Sequence, residues 1–362
     1  MKKKVVVGLS GGVDSAVAAY LLKQRGYEVV GLFMRNWVEE EEDGACTADE
    51  DFYDVRRVCG VLDIPYYGVD FSREYYERVF KHFLSEYEKG RTPNPDVLCN
   101  REIKFDAFAR YARELGADYI ATGHYCRVEE RADGNYLLRA ADENKDQTYF
   151  LNQVTSAQLQ NVLFPLGDMV KDEVRKTAER AGLPVAKKKD STGICFIGER
   201  NFRKFLAQYL PMKDGEIKTE EGKTVGTHRG VFYYTLGQRK GLGLGGVQGG
   251  REGAWFVTGK DVKNNILYVS QGDESRLFHD VIECDAFNFI PHPPAEKEFD
   301  CLVRIRHRQP LQEARAFVTE GGGVRIECKL PQRAACAGQY AVLYRGDVCL
   351  GGGVMERVSD KG

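Results

Sequence analysis

Ser10-Gly11-Gly12-Val13-Asp14-Ser15 places consecutive glycines, two serines and a carboxylate directly after an apolar run and directly before a helical one. Glycines let successive backbone N–H groups close around phosphate oxygens, hydroxyls add donors, and a helix N-terminus adds partial positive charge. The segment therefore reads as an anion cradle. It lacks the GK[ST] ending of a Walker A loop, and it is not GxGxxG. A second constellation is Cys99 with Asp96 in GRTPNPDVLCN, 90–100. Two prolines in three residues exclude regular structure at its start, and a helix is expected to follow from 101. Cys99 and Asp96 are thus expected at or just before a helix N-terminus, where a thiolate is stabilised. Asp96 there could exchange a proton with the thiol, or simply cap the helix. The third constellation is Cys195, set between Lys187-Lys188-Lys189 and the glycines 193 and 198. Its ammonium neighbours favour thiolate and polyanion.

The elements that must position these residues follow from periodicity. The run 4–9 is apolar and β-branched, 14–25 has a helical apolar face closed by Gly26, and 27–34 is a second apolar run. Strand, helix and strand in so few residues make a βαβ unit, hence a parallel sheet with right-handed crossovers. Further units are expected as a helix at 51–62, a strand at 66–70, a helix over 105–115 and a strand at 119–123. The acidic run 39–43 reads as a solvated loop. An amphipathic helix is expected at 199–209, and from 215 glycines and short alternating runs replace helical periodicity. Short strands at 301–306, 314–318, 324–328 and 341–344 suggest a small barrel. The expected organisation is an α/β domain with an open parallel sheet over 1–200, a mostly β domain over 201–278 and a β-barrel over 279–362.

Composition bounds the answer. The chain has 362 residues, 43% hydrophobic and 29% charged, as expected of a folded protein of two or three domains. No stretch is long and apolar enough for a membrane span, and the first ten residues lack a signal-peptide core. A formal net charge of -2 gives no global polyanion signal, so any nucleic-acid surface must be local. The ten cysteines contain no CxxC pair and sit mostly in apolar runs, as reduced thiols do in the cytoplasm. The expected location is cytoplasmic.

Six strings in order, GLSGGVDS at 8–15, GRTPNPDVLCNREIKF at 90–105, ATGHY at 121–125, KDQTYFL at 145–151, DSTGICFIG at 190–198 and TLGQRKGLGLGG at 235–246, carry a more specific likeness. SGGVDS resembles the PP-loop of the N-type ATP pyrophosphatases, with their adenine nucleotide alpha hydrolase-like fold. The whole chain resembles the tRNA-specific 2-thiouridylases, which exchange O2 of the wobble uridine for sulfur. That resemblance implies ATP as substrate with Mg²⁺, and ATP contacts at Gly8, Leu9, Ser10, Gly11, Gly12, Val13, Asp14, Ser15, Met34 and Gly123. It also implies Cys99 as nucleophile, Cys195 as carrier of a persulfide sulfur, a transient disulfide between the two, and Asp96 as general acid or base. Asn94, Pro95 and Asp96 would meet the target base, while His124, Lys145, Asp146, Gln147, His307, Arg308 and Gln339 would touch the tRNA. A sulfur donor such as a cysteine desulfurase or sulfur-relay protein would be a partner, and no membrane is implied. Arg304 and Arg306 are further expected to suit phosphate contacts. Ala16 departs from the family, which often has a serine there. An amide-forming PP-loop ligase and a non-catalytic RNA-binding protein are the rival readings; neither needs Cys99 and Cys195.

Overall fold

The computed structural model describes residues 2–37, 47–190, 205–210, 212–245 and 253–361. Cys195, Cys46, the acidic run 39–43 and most of the expected helix 199–209 lie outside the described residues.

The first strands are β1 (Lys4–Leu9), β2 (Glu28–Arg35), β3 (Tyr66–Asp70), β4 (Tyr119–Ala121), β5 (Cys126–Arg131), β6 (Gly134–Arg139) and β7 (Val162–Leu163). Five of them form a parallel sheet in the order β3-β2-β1-β4-β7. Helices α1 (Val13–Gln24) and α2 (Thr47–Leu62) cover one face. There Val5, Val7 and Leu9 of β1 join Val17, Leu22, Val55 and Val58 in one core. Val6 points to the other face and packs with Phe80, Ile103 and Phe108. A strand buried on both faces must be apolar throughout, which is why β1 reads as an unbroken run.

β1 and β4 are neighbours, and the chain leaves β1 toward β2 on the other side. Their carboxyl ends thus flank the point where strand order reverses, the usual ligand crevice of such sheets.

Two expectations need correction here. The helix expected from 101 instead runs without a break from 95 to 114, with a π-helical stretch at Cys99–Ala107. Pro95 occupies the first helical position, where its missing N–H costs nothing. The second concerns β5 and β6, which do not join the parallel sheet. They form a hairpin whose β6 pairs with Val348–Val354, so this part of the first 200 residues belongs to the sheet of the C-terminal barrel.

The middle region is a four-stranded sheet in the order Trp255–Asp261, Ile266–Gln271, Gly215–Thr219, Thr224–His228. The last region is an antiparallel sheet in which Tyr340–Arg345 pairs with Glu298–Arg304 on one side and Val348–Val354 on the other. The eight described cysteines are all buried. Among the described residues, no helix is long and apolar enough to cross a membrane.

Candidate functional site

The loop between β1 and α1 is built for an anion. Gly12 is the N-cap of α1 and has no side chain to satisfy the first N–H groups. Gly11 lies at φ 75°, and a Cβ there would stand 2.7 Å from the Asp51 carbonyl oxygen. Ser15 Oγ holds the loop, accepting from the Ser10 N–H at 3.2 Å and donating to the Gly12 carbonyl at 3.2 Å. Gly123, just past β4, approaches so closely that a Cβ would be 2.7 Å from Ser15 N. The Met34 methyl at the end of β2 lies against Gly8. Residues from the ends of three strands therefore meet at one helix N-terminus.

Asp14 is tied from two sides. The Tyr125 hydroxyl donates to its Oδ1 at 2.7 Å, and the Lys171 ammonium lies 2.7 Å from both of its oxygens. Lys171 also pairs with Asp190 at 2.9 Å, and Asp190 accepts from Lys145 at 2.8 Å and Arg175 at 2.7 Å. Burial alone would raise the Asp190 carboxyl, but the lysines hold it down at about 2. Asp142 adds a third carboxylate, accepting from the Lys171 backbone N–H at 3.0 Å, so the three cations of the cluster are balanced by three carboxylates. Sequence reading missed Tyr125, Lys171 and Arg175. Asp190 and Tyr125 carried a signal only as the first residue of DSTGICFIG and the last of ATGHY, without a role assigned to either.

Cys99 and Asp96 lie on the helix that starts at Pro95. Asn94 is its N-cap, and its Oδ1 accepts from the Asp96 N–H at 3.2 Å, so the capping role considered for Asp96 belongs to Asn94. Burial pushes the Asp96 carboxyl up, opposed by the Lys104 ammonium. Cys99 is 1% exposed and one turn inside the helix, not at its first residues as expected. It opens the π-helical stretch, a geometry often found where a side chain is re-aimed for function. Asn100 anchors the stretch by donating to the Phe150 carbonyl at 2.9 Å.

The barrel closes over the approach to this helix. Thr92 N–H donates to Ala337 O at 3.0 Å, Gln339 Nε2 donates to Thr92 O at 2.6 Å, and Arg91 pairs with Glu356. A cavity of about 80 Å³ lies between the two parts, with Asn94 and Pro95 on one wall and Tyr340 on another.

The residues expected at tRNA divide sharply. Arg308 is exposed, and Lys145, Gln147 and His307 are half-buried. His307 bonds the Asp146 carbonyl at 3.1 Å, and its ring centroid lies 4.4 Å from that of Phe150 with the rings tilted at 44°. Burial, the larger effect, lowers the His307 imidazole despite that bond. Asp146 is 1% exposed, accepting from Thr148 and paired with Arg304 at 3.1 Å. Both side chains are buried and paired with each other inside the fold, which keeps them from an RNA surface. His124 is a second correction. It lies between the rings of Phe105 and Phe164 with Nδ1 2.8 Å from Thr122 Oγ1, and burial drives it well below its ordinary value. A neutral enclosed imidazole offers no charge to a phosphate.

Three family models match the chain: a tRNA methyl transferase HUP domain at residues 3–199, a tRNA methyl transferase PRC-barrel domain at 203–271 and an aminomethyltransferase beta-barrel domain at 279–355. The chain is 53% identical to the tRNA-specific 2-thiouridylase MnmA of Streptococcus thermophilus (strain ATCC BAA-491 / LMD-9), over all of this chain and 97% of that one. It is equally similar, with the same coverage, to the protein of that name from Streptococcus sanguinis (strain SK36). Among solved structures, a 4-thiouridine synthetase in complex with RNA and bound ATP aligns at 19% identity and TM-score 0.36, over 57% of this chain and 49% of that one. NMN synthetase from Francisella tularensis aligns at 17% and 0.33, over 52% and 66%. Both structural likenesses are too faint to bear on the reaction.

Proposed function

The chain belongs to the tRNA-specific 2-thiouridylase family, and on that premise we propose that it replaces O2 of the wobble uridine of tRNA by sulfur at the expense of ATP. The observation that carries this reading is 53% identity over the full length to relatives of that name. A likeness confined to the nucleotide-binding domain would have left the acceptor open. Two of the family models carry a methyl transferase name, whereas the full-length relatives carry the 2-thiouridylase name.

A uridine carbonyl oxygen is a poor leaving group. Transfer of AMP from ATP to O2 makes it a good one and releases pyrophosphate, whose charge the open N–H groups of the 8–15 loop stabilise. Met34 and Gly123 border that loop and would contact the nucleotide. Asp14, the acidic residue in the first turn of α1, is the carboxylate that would help hold a Mg²⁺ accompanying the nucleotide. Such an ion would neutralise charge on the departing pyrophosphate.

Sulfur would arrive as a persulfide on Cys195, loaded by an external donor such as a cysteine desulfurase or a sulfur-relay protein. Cys99 then attacks the inner sulfur and frees hydrosulfide to displace AMP from C2, or closes the disulfide after the persulfide itself has attacked. Either way the sulfane sulfur gains two electrons, the two thiols lose them, and a separate reductant restores the pair. Asp96, with its carboxyl raised by burial, takes the proton released during transfer. Asn94 and Pro95, beside the cavity under the barrel, would border the flipped base, and Arg308, Lys145, Gln147, His307 and Gln339 the rest of the tRNA.

The nucleotide products test this reading. With tRNA and a persulfide donor the enzyme should release AMP and pyrophosphate, and Asp14→Ala or Ser15→Ala should suppress both sharply. Release of ADP and phosphate would exclude it.

A further inference from the structure

Lys171 opens the helix Lys171–Arg180 and is 9% exposed, a rare place for an ammonium unless opposite charges flank it. Its Nζ lies 2.7 Å from both oxygens of Asp14 and 2.9 Å from Asp190. Asp190 in turn takes Lys145. On the other side, Tyr125 donates its hydroxyl to Asp14, and its peptide exchanges two hydrogen bonds of 2.9 Å with Gln147. The path Lys145, Asp190, Lys171, Asp14, Tyr125, Gln147 thus closes on itself through Asp146. Without Lys171, two carboxylates would face each other across its place, and their repulsion would turn Asp14 away from the loop.

We propose that Lys171 is a positioning residue for the ATP step: its ammonium, shared with Asp190, fixes the Asp14 carboxylate beside the helix N-terminus that receives the phosphates. This rests on the reading that the 8–15 loop takes ATP. Lys171 acts through Asp14, so its removal matters only while Asp14 is present.

The test uses the full-length protein and four variants: Lys171→Met, Lys171→Arg, Asp14→Asn and the double variant Asp14→Asn/Lys171→Met. ATP affinity is measured by titration calorimetry with Mg²⁺ and without tRNA, pyrophosphate release with tRNA, and melting temperature on each. Lys171→Met should lose about tenfold or more in ATP affinity or in kcat for pyrophosphate release, with tRNA affinity unchanged, and Lys171→Arg should recover most of the loss. The double variant should be no worse than Asp14→Asn alone, because the two residues act as one unit. It also relieves the facing carboxylates, so it keeps the comparison open if Lys171→Met does not fold. The proposal is overturned if Lys171→Met lowers only the melting temperature, if Lys171→Arg is as impaired as Lys171→Met, or if the two losses add in the double variant. A wild-type protein that binds ATP yet releases no pyrophosphate would remove the functional reading, while the affinity comparison would still decide the role of Lys171.

Discussion

Asp96 is the residue whose environment differs most from what its type suggests. A carboxylate beside a helix start is ordinarily a cap with a lowered pKa, but Asn94 caps this helix and burial raises Asp96 instead. A base raised in this way is lost as the pH falls through its elevated pKa. Thiolation by the wild type should therefore show an acidic limb above the usual carboxylate range. Asp96→Asn should lower thiolation by about 10²-fold and abolish that limb, with stability and tRNA affinity little changed. Near-normal thiolation, or an unchanged limb, would leave Asp96 without a proton to carry. The thiols are separated by radioactive sulfur: Cys195→Ser should accept none from a donor, and Cys99→Ser should be loaded but not turn over. Loading on Cys99 alone would reverse the two roles. Both cysteines stand out in the sequence because loop prolines and lysines are legible in one dimension. Lys171 and the role of Tyr125 are not, since both follow from the carboxylate they share across 157 and 111 residues of chain.

At the scale of elements, strands read as apolar runs and helices as apolar faces, and β1, β2, β3 and α1 lie within a residue or two of the expected ranges. The helix at 95 was hidden by its own prolines, which mark a loop in one position and a helix start in another. The hairpin β5–β6 was hidden by its partner, because no local pattern says which sheet a hairpin will join. Element contacts also set what can change. Gly123→Ala would drive a methyl into Ser15 N and the end of Asp14, so ATP affinity should fall at least tenfold or so while the barrel stays folded. An unchanged affinity would separate Gly123 from the nucleotide site. In the strand Trp255–Asp261, burial lowers the Lys260 ammonium to about 8, although its Nζ donates to the Tyr234 carbonyl at 3.0 Å. The unfolded chain binds the proton up to its ordinary 10.5, so between those values unfolding takes up a proton and stability rises with pH. The gain should be about 3 kcal/mol, read from urea unfolding at a series of pH values against Lys260→Met, in which the rise should vanish. An identical pH course in the variant would contradict the assignment.

The molecule as a whole is more interlocked than its three textures suggest. The C-terminal barrel recruits β6, hydrogen-bonds Thr92 next to the Cys99 helix, and buries Tyr340, Val342 and Tyr344 in one core with Phe105 and Phe108. Removing residues after 278 would therefore strip a core from the first domain as well as the surface proposed for the tRNA. The truncated chain should unfold at much lower urea, and Arg308→Ala in the full chain is the cleaner probe of RNA contact. That variant should weaken tRNA binding and reduce the salt slope by about one unit without moving ATP affinity. An unchanged slope would remove this corner of the barrel from the RNA surface. The account as a whole stands on one product. Nucleoside mass spectrometry of tRNA lacking 2-thiouridine, after incubation with the enzyme, ATP and a persulfide donor, should show 2-thiouridine at the wobble position, strictly dependent on ATP and absent with Cys99→Ser. Unmodified tRNA under those conditions, or thiolation that persists without ATP, would contradict it.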